Sequence, residues 1–260
     1  MASEFILTAA QDGIFTVTLN RPEKLNALLP EMHLALDEAF DRFAADDALR
    51  VCVVRSAGGR AFCAGSDLTA FKTDGSSPYP RTGYAGIAQR HDLAKPVIAA
   101  VEGLCLGGGF ELALSCDMIL ASQTAVFGLP EPKVGLIAIG GGIHRLVRQA
   151  GLKRAMGPLL TGRNMSAEEG LAMGFVSELA PPGTLDAVVA ETCRQILACA
   201  PLAVQLTKEL AMWGLDQPVL ADVLSGQVEQ PAFRRWLESE DAREGPKAFA
   251  EKRQPEWRGR

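Results

Sequence analysis

The strongest constraint on the fold is an alternation of apolar, strand-like runs with helical segments. The runs VCVVRS (51–56), PVIAAVEG (96–103) and MILAS (118–122) are continuous and largely apolar, as is typical of strands that are buried on both faces of a sheet. Helical patterns fall between them, and strands that alternate with helices predict an α/β domain with largely parallel sheets. With 260 residues, of which 48% are hydrophobic, the chain can bury a substantial core.

Both ends of the chain carry further elements. Two strand-like runs, residues 5–9 and 14–20, flank a Gln-Asp-Gly turn signal, and a helix with one apolar face follows Pro30. From about residue 185 the strand-like runs stop. Helical patterns then cover residues 188–199, 202–213, 218–229 and 232–238. The prolines that suit first helical turns in this region are Pro201, Pro218 and Pro231. We therefore predict a core at residues 1–195 and a C-terminal helical region at residues 196–260.

Charge argues against a nucleic-acid-binding role. The formal net charge is −5, and no basic stripe of the kind that neutralises phosphates is present. The helix around residues 32–47 carries five acidic side chains against Arg42 alone. We expect no nucleic-acid partner.

Segments for targeting or membrane insertion are not expected either. No apolar run approaches the roughly 20 residues that a membrane span needs, and the opening MASEFILTAAQDG lacks the features of a secretory signal. The six cysteines form no CxxC pair and the three histidines are dispersed. We therefore predict free, buried thiols in a reducing compartment, no metal site and a cytoplasmic location.

The segment GLCLGGGFELALSCD (103–117) carries the first candidate for chemistry. Three glycines precede an apolar helix, whose first N–H groups lack internal partners and can receive a developing negative charge. Close packing of two backbones would explain the glycines equally well. Glu111 lies one turn into this helix among apolar residues, where burial would raise the pKa of its carboxyl. A glutamate that is merely buried and hydrogen-bonded remains the alternative.

Two further segments are candidates. RAFCAGSDL (60–68) places a Gly65–Ser66 turn after a strand, from which an N–H group could point outward, although an ordinary turn has the same pattern. In VFGLPEPKVGL (126–136), Glu131 stands between two prolines and is presented from a stiff loop. A glutamate that faces solvent is the alternative there.

Together these motifs resemble the crotonase superfamily, the enoyl-CoA hydratase/isomerase family. AFCAGSDL, GLCLGGGFEL and the Pro-Glu loop occur in the order and spacing of that family, and NRPEKLNAL (20–28), KPVIAAVEG (95–103) and LTGRNMSAEEGLAMGFVSEL (160–179) fit it too. The resemblance covers essentially the whole chain. It implies a spiral of ββα units followed by a C-terminal helical trimerisation region, assembled as a homotrimer or a dimer of trimers.

The same resemblance implies an active site for acyl-CoA thioesters. The thioester oxygen would lie between the N–H groups of Ser66 and Gly108, an oxyanion hole, with Glu111 and Glu131 as the catalytic acid/base pair. The residues implied in binding coenzyme A are Lys24, Ala27, Leu28, Ala64, Gly65, Asp67, Leu68 and Thr69. Coenzyme A is part of the substrate, and no other cofactor or metal is expected.

Both glutamates together are typical of 2-enoyl-CoA hydratases, whereas many isomerases of the superfamily replace one of them. An isomerase or a carnitinyl-CoA dehydratase remains the alternative, because the latter also retains both glutamates. Departures from the family pattern at Pro132, residues 137–139 and His144 affect the substrate range more than the type of reaction.

Two more regions are open at this stage. The Gly-, Pro- and Ser-rich segment 73–86 is predicted to be a surface loop, of a length that is often functional. Near the C-terminus, Lys247 and Lys252 could reach coenzyme A phosphates across a subunit interface, or could belong to a solvated tail.

Overall fold

The computed structural model of the chain describes residues 3–70 and 79–260, which form two sheets surrounded by helices. The larger sheet has six strands in the order β1-β2-β3-β5-β7-β10, and all neighbours except β1 and β2 are parallel. The smaller sheet has the order β4-β6-β8-β9, with only β8 and β9 antiparallel. The strands are β1 (Ile6–Gln11), β2 (Ile14–Leu19), β3 (Val51–Ser56), β4 (Ala61–Cys63), β5 (Val97–Val101), β6 (Leu104–Leu106), β7 (Met118–Ser122), β8 (Val126–Gly128), β9 (Met165–Ser166) and β10 (Glu178–Ala180).

The chain passes from the larger sheet to the smaller one and back in repeated turns. β3 is followed by β4, β5 by β6 and β7 by β8, and a helix connects the second of these pairs to the third. The helices are α1 (Pro30–Ala45), α2 (Gly108–Ser115), α3 (Gly142–Ala150), α4 (Leu152–Thr161), α5 (Ala167–Met173), α6 (Leu185–Leu197), α7 (Pro201–Leu215), α8 (Leu220–Gly226), α9 (Pro231–Leu237) and α10 (Glu240–Ala250). The predicted α/β architecture with largely parallel sheets is confirmed.

The larger sheet is buried on both faces, as the continuous apolar runs indicate. In β3, Cys52 and Val54 belong to the main core, whereas Val51 and Val53 face a second apolar cluster that includes side chains of α6. This division follows from the alternation of side chains along a strand. Helix α6 thus packs on the sheet, and it contains the predicted boundary at residue 195, so the division into 1–195 and 196–260 stays a prediction.

Three local predictions were wrong. Pro218 precedes α8 without being part of it, and the predicted helix over 218–229 breaks at Gly226 into a short 3-10 turn. Residues 82–86 of the predicted surface loop are buried, because they pack against α1; residues 73–78 of that loop lie outside the described residues. Among the six free cysteines, Cys199 is exposed, since it follows the end of α6.

Within residues 3–70 and 79–260, no single helix has the length and apolar character for a membrane span. Helices α6 and α7 meet those criteria only together, as a pair that is bent by 103°.

Candidate active site

Two unpaired backbone N–H groups meet where the smaller sheet ends. Gly108 is the first residue of α2, so its N–H group has no acceptor within the helix. A methyl group placed on Gly65 would lie 3.2 Å from the Gly108 nitrogen, which puts the Gly65–Ser66 turn directly beside the helix start. In the part of the chain that the structure describes, neither Ser66 nor Gly108 donates a backbone hydrogen bond. Gly65 has a φ of 100°, a conformation that glycine adopts without strain.

Glu111 lies one turn into α2 and is buried, with 4% of its surface exposed. Its Oε1 atom accepts a hydrogen bond of 2.9 Å from the N–H group of Gly142. Burial, with a smaller contribution from the charge of Glu131, raises the pKa of the carboxyl to about 7, although the N–H groups of Gly142 and Gly140 oppose the shift. The predicted burial and raised pKa are confirmed, and the carboxyl titrates close to neutral pH.

Glu131 faces inward rather than toward solvent. It begins a 3-10 turn, Glu131–Val134, after Pro130. A methyl group placed on Gly107 would lie 3.0 Å from Glu131 Oε1. The Oε2 atom is fully buried and has no hydrogen-bond partner among the described residues, and burial raises the pKa of the carboxyl. Because a buried oxygen without a partner is costly, this atom marks a place where water or a ligand would bind favourably.

The four residues that the sequence predicts for the chemistry therefore lie in one place. Contacts of Gly65 with Gly108 and of Glu131 with Gly107 join the three segments, and the charge of Glu131 contributes to the raised pKa of Glu111. The glycines are needed for this closeness, since a methyl group on Gly142 would lie 3.0 Å from Glu111 Oε1. The arrangement offers two hydrogen-bond donors beside an acid/base pair.

The two segments predicted to bind coenzyme A run side by side. The N–H group of Leu28 donates to Gly65 at 2.8 Å, the N–H group of Asp67 donates to Leu28 at 2.9 Å, and that of Ala64 donates to Leu25 at 3.0 Å. Leu28 and Gly65 are buried, and Ala27, Ala64 and Asp67 are half-buried. The exposed residues of this set are Lys24, Leu68 and Thr69.

The Asp67 side chain is occupied by its own surroundings. The Thr69 hydroxyl donates to it at 2.7 Å and Arg21 pairs with it at 2.7 Å. Both partners lower the pKa of the carboxyl, to about 2, and the Thr69 hydroxyl has the larger effect. Asp67 thus holds the Arg21 and Thr69 regions together. Its predicted role in binding coenzyme A stays a prediction.

One neighbour of the site was missed by the sequence interpretation. The hydroxyl of Tyr84 lies 2.9 Å from Ser66 Oγ, and a methyl group placed on Gly108 would lie 1.8 Å from the same hydroxyl oxygen. The glycines that flank Tyr84 in GYAG were the available signal, because both Gly83 and Gly86 have positive φ angles and so allow a tight buried turn.

A separate cavity of about 440 Å³ lies between the core and the C-terminal helices, with Arg145, Lys208 and Trp213 among its lining residues. Two of its charged side chains already have partners, since Lys208 pairs with Asp117 at 2.7 Å and Arg145 donates to the carbonyl of Ala88. Neither Glu111 nor Glu131 lines it. This cavity is therefore a seam between helices and not the place where the two carboxyls act.

Comparison with known proteins decides the family. The model of the enoyl-CoA hydratase/isomerase family matches residues 9–260. The chain belongs to this family. A carnitinyl-CoA dehydratase of Salmonella arizonae is 41% identical, with 99% of each chain covered. Among solved structures, an enoyl-CoA hydratase of Mycobacterium marinum is 40% identical with a TM-score of 0.92, over 99% of this chain and 100% of that one.

A second solved enoyl-CoA hydratase, from Mycobacterium tuberculosis, is 37% identical with a TM-score of 0.91 and covers 99% of this chain and 100% of that one. The crotonase fold expected from the sequence motifs is thereby confirmed. As a member of the enoyl-CoA hydratase/isomerase family, the chain is an enzyme of the crotonase superfamily, and an acyl-CoA thioester substrate fits that membership.

Proposed function

We propose that this enzyme is a hydro-lyase that reversibly adds water across the 2,3 double bond of a 2-enoyl-CoA thioester. One observation carries the proposal: the buried carboxyl of Glu111 and the half-buried Glu131 stand beside two N–H groups that have no acceptor within the described residues. An isomerase needs to move one proton, for which a single acid/base group suffices. Addition of water requires two proton transfers, which fits a pair.

The N–H groups of Ser66 and Gly108 would bind the thioester oxygen. When a nucleophile attacks the β-carbon, negative charge moves onto this oxygen as an enolate forms. Donors that already point at that position stabilise the transition state without reorganising, and each is worth about 3 kcal/mol in comparable enzymes. Because these backbone donors supply the electrophilic assistance, the proposal invokes no metal or nucleotide cofactor.

The two carboxyls would divide the proton transfers. Glu111 takes a proton from water as the oxygen bonds to the β-carbon, and Glu131 delivers a proton to the α-carbon of the enolate. The product is a 3-hydroxyacyl-CoA, and the reverse sequence releases water. A carboxyl whose pKa is about 7 is suited to exchange protons at neutral pH. Since the two groups are coupled, they are best treated as one unit that holds a shared proton.

Coenzyme A would lie along the paired segments 24–28 and 64–69. The exposed ammonium of Lys24 suits a phosphate group, and the apolar surface of Leu68, which is 55% exposed, suits the adenine ring. Backbone atoms of Ala64 and Gly65 border the place where the thioester would enter. Lys247 and Lys252 are exposed as well, so a contribution from a neighbouring subunit stays a prediction.

Dehydration of carnitinyl-CoA is the second candidate. It is supported by the relatives of this name, which are 41% and 39% identical to the chain. The chemistry is the same exchange of water across a 2,3 double bond, so the arrangement of Glu111 and Glu131 serves both reactions. Only the acyl group differs, in that one substrate carries a quaternary ammonium.

A spectrophotometric assay tests the proposal and separates the candidates. Loss of the conjugated-enoyl absorbance is followed with crotonyl-CoA, longer 2-enoyl-CoA substrates and crotonobetainyl-CoA. We expect hydration that falls at least 100-fold in both Glu111→Gln and Glu131→Gln, because each removes one proton transfer. If only one of the two variants loses activity, isomerisation is favoured. If the absorbance stays constant with every substrate that binds, hydration is refuted.

A further inference from the structure

Tyr84 is held in place by an unusual backbone segment. Gly83, Ala85 and Gly86 all have positive φ angles, of 82°, 53° and 66°. For alanine this conformation is unfavourable, and it persists only when the surroundings enforce it. The N–H group of Ala85 donates a buried hydrogen bond of 3.0 Å to Nδ1 of His33. Burial lowers the pKa of His33 to about 4, so the imidazole is neutral and its Nδ1 can accept.

The Tyr84 ring is fixed on several sides. It is 4% exposed and packs edge-on against His33, at 4.6 Å between ring centroids, and against Tyr79, at 5.2 Å. A methyl group placed on Gly140 would lie 2.9 Å from Tyr84 Cγ and 2.7 Å from Glu111 Oε2. The ring therefore stands beside both the glutamate and the start of α2.

The hydroxyl of this fixed ring ends at Ser66. The two oxygens are 2.9 Å apart. At this distance either hydroxyl can donate a hydrogen bond to the other. Ser66 is the residue whose N–H group would bind the thioester oxygen, and its side chain is thus tied to a rigid aromatic cluster.

We propose that Tyr84 is a positioning residue, which orients the Ser66 N–H group toward the thioester oxygen by anchoring the Ser66 hydroxyl. This inference rests on the proposed function, because it assigns Ser66 to the oxyanion hole. The peptide unit that carries the Ser66 N–H group is held on one side by the hydrogen bond that the Leu28 N–H group donates to the Gly65 carbonyl. The hydrogen bond between Ser66 and Tyr84 adds a second restraint at the side chain, so that the donor is in place before the reaction begins.

A double-mutant cycle with Tyr84→Phe, Ser66→Ala and the double variant tests the proposal. Both single changes keep the Ser66 N–H group and remove only the anchor. Loss of a whole donor costs roughly 100- to 1,000-fold in kcat, so for a misdirected donor we expect about a tenfold loss of kcat with KM changed less than about twofold. The double variant should be no worse than the worse single variant. If the two losses multiply, the residues act independently and the proposal is wrong.

Bound acetoacetyl-CoA gives a second readout that needs no hydration activity. Its enolate absorbs in the near ultraviolet, and the enolate fraction measures how well the hole stabilises an oxyanion. We expect this fraction to fall in Tyr84→Phe and Ser66→Ala alike. If the wild-type enzyme hydrates no substrate and the enolate fraction nevertheless falls in the variants, the proposed function fails while the role of Tyr84 stands. An unchanged fraction in both variants overturns the role of Tyr84.

Ser122→Ala is the matched control. Ser122 is buried, and its hydroxyl pairs with that of Thr124 at 2.9 Å, the same distance as in the Ser66–Tyr84 pair. It lies in β7, outside the proposed machinery. We expect it to lower the thermal midpoint by an amount similar to Ser66→Ala and to leave kcat and the enolate fraction unchanged. Equal kinetic losses in Ser122→Ala would mean that the effect is a general loss of stability, which contradicts the positioning role.

Discussion

At the scale of single residues, Glu111 and Glu131 combine burial with proximity to each other. The carboxyl of Glu111 has a pKa near 7 in part because Glu131 is already ionised when Glu111 titrates. Between the two ionisations the pair holds one proton, which is the state that both directions of a hydration reaction need. The proton can stand on Glu131 for hydration or on Glu111 for dehydration.

This shared proton predicts a bell-shaped pH dependence of kcat/KM. On the acid side both carboxyls become protonated and no base remains. On the alkaline side the last proton leaves as the pH rises through about 7, the pKa of Glu111, and no acid remains. Initial rates with crotonyl-CoA and with the 3-hydroxyacyl product should therefore both decline above that pH. A rate that keeps rising to about pH 9 would contradict the shared-proton assignment.

The same carboxyl should make folding stability depend on pH. Glu111 has a pKa of about 7 in the folded state, whereas the ordinary pKa of a glutamate is 4.5. Protonation of Glu111 therefore stabilises the folded state. This contribution to the free energy of unfolding is complete below about pH 4.5 and is lost as the pH rises through 7. Glu111→Gln cannot ionise, so we expect it to be more stable than wild type at pH 8 by about 3 kcal/mol. Urea unfolding at pH 5 and pH 8 checks this, and a gain that is equal at both values would refute it.

At the scale of elements, close backbone packing decides where α2 can lie. A methyl group placed on Gly109 would be 2.2 Å from the carbonyl oxygen of Cys63 in β4, so this close approach of the two backbones requires glycine. Close packing therefore explains Gly109, whereas the charge-stabilising helix start concerns Gly108 and stays a prediction. Gly109 brings α2 onto β4, and Gly108 presents its N–H group.

Gly109→Ala should accordingly destabilise the fold by about 3 kcal/mol or more, because α2 must move away from β4. Gly157 in α4 is the matched control: apart from its chain neighbours, a methyl group there would meet no atom within 4 Å. The gain of about 1 kcal/mol for alanine in a helix interior is opposed by Pro158, which disfavours a side chain on the residue before it, so Gly157→Ala should change the thermal midpoint far less than Gly109→Ala. Differential scanning calorimetry of the two variants tests the pair, and a similar change in both would contradict the packing argument.

The elements also mark the limit of what the sequence predicts. The buried strands β3, β5 and β7 are evident from their apolar runs, and the burial of Glu111 follows from its apolar neighbours. Strands such as β4 have three residues, too few to display a period of two, so the smaller sheet is not predicted. Tyr84 is missed for another reason: a Gly- and Pro-rich composition indicates a turn but not whether the turn is buried.

At the scale of the whole molecule, the C-terminal helices leave large apolar side chains exposed. Those with more than half of their surface exposed in this region are Leu215, Leu220, Leu224, Val228, Leu237 and Phe249. Apolar surface of this extent on one region of a chain is typical of an interface. It supports the predicted homotrimer or dimer of trimers, in which a second copy covers these helices.

Leu220→Asp should therefore weaken assembly without unfolding the chain. Leu220 is 70% exposed in the single chain, so a charge there costs little until a partner buries it. We expect wild type to sediment as a trimer or hexamer and the variant to shift toward smaller species at micromolar concentration. Leu7→Asp, at a leucine that is 46% exposed on β1, is the control and should sediment as wild type. A wild-type chain that sediments as a monomer would refute the assembly, and the exposed helices would then need another partner.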